Sequence, residues 1–177
     1  MSTFANKLFN GRIYVFGHLA SKTHAVDLHM PLPISIPVQV TYGCHCFTEA
    51  FDDAVHQDHH RYTHLQETRA FNVERYICSL QLPCIVTAIM SGRIYQGDRS
   101  YTYMSKIILP TASGQHSYSV FFSLEKSRKA SAPAAQMYIK SAYLSGLKAP
   151  MNARSWRFPA LVGEITGGFA SVTKGKQ

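Results

Sequence analysis

The chain has 177 residues, 46% of them hydrophobic and 16% charged, with a formal net charge of +8 and an isoelectric point near 9.4. This length suits one folded domain rather than two, and ten Phe and ten Tyr residues give bulk for a core, which excludes wholesale disorder. No run reaches the roughly 18 consecutive apolar residues that cross a bilayer, and the opening MSTFANKLFNGRIYVFGHLA lacks the charged-then-apolar layout of a secretory leader. A cytoplasmic protein with no membrane partner is therefore expected, its cysteines, Cys44, Cys46, Cys78 and Cys84, held as reduced thiols.

Residues 1–35 read as an N-terminal arm, in which strand-like GRIYVFG, with a possible edge strand, passes into PLPISIP. The prolines remove backbone donors and favour extended chain. VQVTYGCHCF alternates and puts Val38, Val40 and Tyr42 on one face of a strand. Thr48 to Glu67 is polar, His-rich and weakly periodic, as in a loop or a solvent-exposed helix. Asn72 stands where an N-cap belongs, and Val73, Ile77 and Leu80 share one side of the helix that follows. Pro83 opens a second helix or a kinked continuation from Cys84 to Ser91, closed by Gly92.

After Gly92 the period changes to two. RIYQ, TYMSKIIL, YSVFFSLEK, QMYIKSAYL and FPALVGEIT read as strands, separated by turn signals at Gly97-Asp98, Ser113-Gly114, KSRKASAPA and Ser145-Gly146. Tyr118, Val120, Phe122 and Leu124 form the buried face of the third. The sum is a single α+β domain over 36–166, a helical hairpin or kinked helix packed on an antiparallel sheet of about four to six strands, with a flexible tail at 167–177.

Charge is unevenly spread. Six of the ten acids, Glu49, Asp52, Asp53, Asp58, Glu67 and Glu74, lie between positions 49 and 74, and none lies between Lys126 and Gly163. That acid-free stretch holds Lys126, Arg128, Lys129, Lys148, Arg154, Trp156 and Arg157, which are candidate nucleic-acid-binding residues because cations neutralise phosphates and rings stack on bases. A solvated basic surface is the simpler alternative. In QMYIKSAYL the pleat sets Tyr138 and Lys140 on one face and Ile139, Ser141 and Tyr143 on the other. A Lys beside a Tyr near a phosphate serves phosphoryl transfer as charge stabiliser and acid; ordinary cross-strand tyrosines beside a surface Lys are the alternative.

His56, His60 and His64 fall at i, i+4 and i+8, so a helix would align them as zinc ligands with Asp58 in reach of a ring. No paired Cys-x-x-Cys accompanies them, and zinc stands as the alternative to having no cofactor. Cys44 or Cys46 with one of the histidines is a candidate nucleophile pair, whereas Cys78 and Cys84 read as core fillers. The absence of GxxxxGKS and GxGxxG argues against a nucleotide-dependent enzyme.

The order FNVERYICSLQLP, YSVFFSLEK and MYIKSAYL, over residues 70–165, resembles RelE- and barnase-like bacterial ribonucleases. The resemblance implies helices packed on one face of a curved sheet, RNA on the other, and Arg69, Arg75, Lys126, Tyr138, Lys140, Ser141 and Tyr143 as the catalytic and binding positions. The segments Arg69 to Pro83, Tyr118 to Leu124 and Ser141 to Tyr143 also look like those of uncharacterised proteins of bacterial mobile elements. The leading expectation is a protein that acts on nucleic acid, RNA ahead of DNA, as an RNA-binding domain or a metal-independent ribonuclease of toxin or defence type, with a protein partner or inhibitor. Beside it stand a non-catalytic interaction protein of a mobile element and a zinc-binding module.

Overall fold

The computed structural model describes residues 4–28, 34–97, 102–111, 114–128, 134–145 and 153–168. The chain opens with a hairpin of β1 (Lys7–Phe9) and β2 (Arg12–Tyr14). Its turn residues Asn10 and Gly11 both have positive φ, 49° and 72°, the left-handed backbone that an Asn-Gly pair tolerates in a tight hairpin. Then follow β3 (Lys22–Leu28), β4 (Ile34–His45), β5 (Thr48–Glu49), β6 (Arg61–His64), β7 (Glu67–Phe71), α1 (Val73–Ser79) and α2 (Leu82–Ser91). The remainder is β8 (Arg93–Gln96), β9 (Thr102–Thr111), β10 (Gly114–Lys126), β11 (Ala135–Leu144), β12 (Ser155–Arg157) and α3 (Phe158–Thr166).

The fold is α+β. Its main sheet has seven strands in the order β12-β8-β9-β10-β11-β4-β3, one more than the upper sequence expectation. The sheet is also mixed, because β11 runs parallel to β4 while the other neighbours are antiparallel. Parallel neighbours need a long crossover, and here the chain from β5 to β10 provides it. Residues 48–67 form no α-helix: a loop and a single 3-10 turn at Asp58–His60 join the strands of a second sheet of order β5-β7-β6. Its strands are too short for their alternation to register against the polar background, yet Tyr62, Ala70 and Phe71 supply a buried side.

FPALVGEIT is a helix, α3, rather than a strand. Pro159 lies in its first turn, Phe158, Leu161 and Val162 are buried, and Gly167 ends it in the left-handed conformation with φ 71°. These apolar residues satisfy both periods, so the capping pair decides. Asn72 does cap α1, its side chain accepting from the Arg75 N–H at 2.9 Å. The apolar side expected there is not the buried one: Ile77 and Leu80 are exposed, while Cys78 and Ser79 are buried. A seven-residue helix packs through whichever residues its neighbours cover, and Tyr76 joins the rings of Tyr14, Phe16 and Phe71. Cys84 is exposed rather than a core filler.

The main core lies between the helices and one face of the seven-stranded sheet. Tyr118, Val120, Phe122 and Leu124 of β10 are all fully buried, as the alternation predicts, and Phe158 of α3 meets Phe122 at 6.3 Å. A second aromatic cluster joins Phe4, Phe16, Phe47, Tyr62 and Phe71, with Phe16 and Phe47 4.1 Å apart. Such ring pairs contribute about 0.5 to 1.5 kcal/mol each beyond burial, so residues before position 20 help to hold the small sheet against the large one. Among the described residues no single helix is long and apolar enough to cross a membrane, and α1 and α2 meet at a bend of 52°.

Tyr118 is fully buried, and its hydroxyl has no hydrogen-bond partner among the described residues. An unsatisfied buried hydroxyl costs about 1 to 3 kcal/mol. Tyr118→Phe is therefore expected to leave urea-unfolding stability unchanged or raise it by about 1 kcal/mol, whereas a loss of similar size would show that the hydroxyl is bonded.

Candidate functional site at the break in the central strands

The pairing of β10 with β11 runs from Phe122 opposite Ile139 to Phe121 opposite Ser141, which leaves Lys140 as an extra residue. Next to it, the pairing of β11 with β4 runs from Ile139 opposite Tyr42 to Ser141 opposite His45, passing over Gly43 and Cys44. Such a bulge reverses the inward and outward phase beyond it. Ala142 thereby takes the buried position. Ser141 and Tyr143 join Tyr138 on the face opposite the one that α3 covers, where regular alternation would have set them apart from it.

Gly43 makes this packing possible. A Cβ there would stand 2.5 Å from the Tyr138 hydroxyl and 3.0 Å from the Lys140 carbonyl oxygen. The Tyr138 ring accordingly lies across Gly43, its hydroxyl beside the start of the Cys44-His45 segment.

Glu67, carried by β7, is the hub of the site. His45 Nε2 is 2.9 Å from both of its oxygens, Arg69 Nη1 donates to Oε1 at 3.0 Å, and the Cys44 thiol donates to Oε2 at 3.8 Å. A carboxylate only accepts, so His45 carries its hydrogen on Nε2, and Nδ1 is the basic nitrogen of a half-exposed ring. Behind the hub, Arg69 Nε donates to Thr48 Oγ1, which donates to the Cys44 carbonyl, both at 2.8 Å. Arg75 Nη1 donates to the Thr48 carbonyl at 2.8 Å, and its guanidinium lies over the Tyr143 ring at 4.8 Å. Tyr143 in turn stacks on Phe121 at 5.6 Å. Lys140 is exposed and reaches across the sheet to donate to Thr102 Oγ1 at 3.2 Å.

Burial pushes the Tyr138 phenol upward, with Cys44, Cys46 and Glu67 adding to the shift, so it stays protonated and able to donate. Burial and the Glu67 charge likewise raise the Cys44 thiol, which argues against a ready thiolate nucleophile. For Glu67, burial alone would raise the carboxyl, but hydrogen bonds from His45 and Arg69 outweigh it and hold the group below its usual 4.5. Glu49 follows the same pattern: burial is outweighed by bonds from Asn72 and His56, with Arg75 nearby.

The structure thus sets Tyr138, Ser141, Tyr143 and the backbone of Lys140 around one break in the sheet, with Arg69 and Arg75 tying the turn beside it, whereas the Lys140 ammonium points away from β4 to Thr102. The other expected residues that are described lie elsewhere. Lys126 and Arg128 are exposed near the far end of β10, and Lys129 and Lys148 lie outside the described residues. Arg154 stacks over Trp156 at 4.6 Å, the indole donates to Glu164 at 3.2 Å, and Trp156 meets the buried Tyr103 edge-on at 5.8 Å. That group, with exposed Arg157, is at the β12 edge, on the side where α3 packs.

The His-rich segment does not form the helix that would align its rings. His56 bonds Glu49 at 3.2 Å, His60 Nδ1 faces the Gln57 backbone, and His64 rests on Phe4. Among the described residues, the His, Cys and acidic donors close enough to share an ion are instead Cys44, His45 and Glu67, within 4.8 Å of one another. Sequence reasoning singled out Cys44 as a candidate nucleophile but missed His45 beside it and Glu67, which is 22 residues from His45 and carries no local signal.

These features define an α+β protein with a His-Glu pair set beside a bulge in its main sheet. The YjaZ family model matches residues 6–166, and the chain belongs to the YjaZ family. No curated protein and no solved structure matches it significantly.

Two outcomes follow from this geometry. Gly43→Ala is expected to cost about 1 to 3 kcal/mol in chemical unfolding through overpacking. Part of the loss should return in the Gly43→Ala, Tyr138→Phe double variant, and strict additivity would show that the hydroxyl is not the obstacle. Because Glu49 and Glu67 titrate below 4.5 in the folded chain, their contribution to stability is present above the unfolded value and is lost as pH falls through the lowered ones. Thermal melts should therefore drop below about pH 4.5, and Glu49→Gln with Glu67→Gln should flatten that drop.

Proposed function

We propose that the chain acts on nucleic acid, RNA ahead of DNA, as a metal-independent ribonuclease centred on His45 and Tyr138. The observation that carries this reading is the pairing at the β4 and β11 break of a half-exposed His oriented by a carboxylate with an exposed tyrosine phenol, and an exposed Lys that leaves the same strand. Those are the base, acid and cation that cleavage through a 2′-hydroxyl requires. The net charge of +8 favours a polyanionic substrate.

In this mechanism His45 Nδ1 takes the proton of the 2′-hydroxyl, whose oxygen bonds to the adjacent phosphorus. The bond from phosphorus to the 5′-oxygen breaks, and Tyr138 delivers a proton to that leaving oxygen. The products are a 2′,3′-cyclic phosphate and a 5′-hydroxyl. Glu67 holds the His45 tautomer and stabilises the imidazolium, as a carboxylate does in other His-centred sites, while Lys140 neutralises charge on the phosphate. Arg75 and Tyr143 position the His45 segment and take no part in proton transfer.

The test is incubation of the purified protein with labelled single-stranded RNA and DNA at two salt concentrations, with and without chelator. Chelator-resistant RNA cleavage is expected, falling about 10²- to 10⁴-fold in His45→Ala and in Tyr138→Phe with circular dichroism unchanged. Retention of RNA without cleavage would reduce the protein to a binding module, and neither retention nor cleavage would remove nucleic acid from the reading.

A further inference from the structure

We propose that Cys44, His45 and Glu67 form a binding site for a soft divalent cation of the zinc class, and that its occupancy switches off the acid-base pair. The second half of this proposal rests on the ribonuclease reading; the first half does not.

Three donor types that zinc takes, a thiolate, an imidazole and a carboxylate, converge here from two separate strands. Their ligand atoms all lie within 4.8 Å of one another. The tetrahedral bond lengths of zinc, about 2.0 to 2.3 Å, set ligand atoms about 3.3 to 3.7 Å apart. The Cys44 Sγ to Glu67 Oε2 separation of 3.8 Å is close to that span, and the His45 to Glu67 separation of 2.9 Å opens to it by a small ring rotation. Three protein ligands would leave a fourth position for water.

The surrounding charges leave the site usable. Arg69 is the cation nearest the hub, and it bonds Oε1 at 3.0 Å, so Oε2 remains for the metal on the side facing Cys44. Arg75 is engaged with the Thr48 carbonyl and the Tyr143 ring. Cys44 must give up its proton, and coordination to the ion itself removes it. The backbone that holds the ligands is already fixed, because Thr48 ties the Cys44 carbonyl at 2.8 Å and Arg69 ties Thr48.

Occupancy and catalysis exclude each other for a tautomeric reason. A metal on His45 Nε2 moves the ring hydrogen to Nδ1, and that nitrogen can no longer accept the proton of a 2′-hydroxyl. The cation also takes the Glu67 oxygen that would otherwise stabilise the imidazolium. Zinc is therefore an inhibitor of this site and not its cofactor, which separates the proposal from a zinc module built on His56, His60 and His64.

The experiment is a cobalt titration of the full chain, followed by absorption, with zinc added as competitor. One equivalent of cobalt should produce a near-ultraviolet thiolate charge-transfer band that zinc displaces. Cys44→Ser should abolish the band, and Glu67→Gln, an exposed position, should weaken binding at least about tenfold while keeping the fold. His56→Ala should bind as the wild type does. Absence of the band, or its survival in Cys44→Ser, would overturn the site. In the RNA assay, equimolar zinc should stop cleavage, and Cys44→Ser should need at least about tenfold more. Zinc-insensitive cleavage alongside a cobalt band would overturn the switch, and a protein that binds cobalt through Cys44 but cuts no RNA would overturn the proposed function while leaving the site.

Discussion

Strands β4 and β11 lie parallel and side by side, and each breaks step where the other does, at Gly43 and Cys44 on one and at Lys140 on the other. Everything distinctive about the molecule depends on that shared break. With regular pairing, alternation beyond Ile139 would turn the Ser141 hydroxyl and the Tyr143 phenol toward the helices, where burying each without a partner costs several kcal/mol. The bulge gives that place to Ala142 and leaves the polar side chains on the opposite face. It also relies on a residue without a Cβ at position 43, where the Tyr138 hydroxyl and the Lys140 carbonyl come too close for a Cβ unless they shift.

The break would be a weak point if the polar groups around it were left unpaired. Instead the turn that follows β4 is tied from several directions. Thr48 holds the Cys44 carbonyl, Arg75 holds the Thr48 carbonyl, and Arg69 bridges Thr48 to Glu67. Each bond to a charged donor or acceptor is stronger than a neutral one, and connected networks of this kind rigidify what they surround. The outcome is a reactive-looking pair, His45 and Glu67, on a backbone with little freedom to move.

The small sheet has its purpose in this arrangement. Strand β7 delivers Glu67 and Arg69 to the end of β4, and its partner β6 anchors it through Tyr62, which packs on Phe16 and Phe47 and donates to the Ala5 carbonyl at 3.0 Å. The N-terminal segment is thus coupled to the site through an aromatic cluster, although it contributes no side chain to the chemistry. The basic, tryptophan-bearing edge at β12 is held by its own bonds to α3 and lies away from His45 and Tyr138. The residues that the charge pattern singled out at the β12 edge therefore do not share a surface with His45 and Tyr138.

Local sequence was enough wherever a local cause decides the structure. The strict alternation of β10 and of Val38, Val40 and Tyr42 in β4, the Asn72 cap and the Pro83 bend are all set by residues a few positions apart, and they appear as the pattern requires. The helix α3 was within reach too, since Pro159 and Gly167 bracket it, but its apolar residues read equally well as a strand. Tertiary structure alone decided the rest. Parallel pairing of β4 with β11 joins segments about a hundred residues apart, so no window of sequence contains it. The bulge at Lys140 is invisible to a period-two reading because it is defined by the partner strands. Glu67 meets His45 because the small sheet folds back on β4, and its role comes from the company it keeps rather than from any neighbour in the chain.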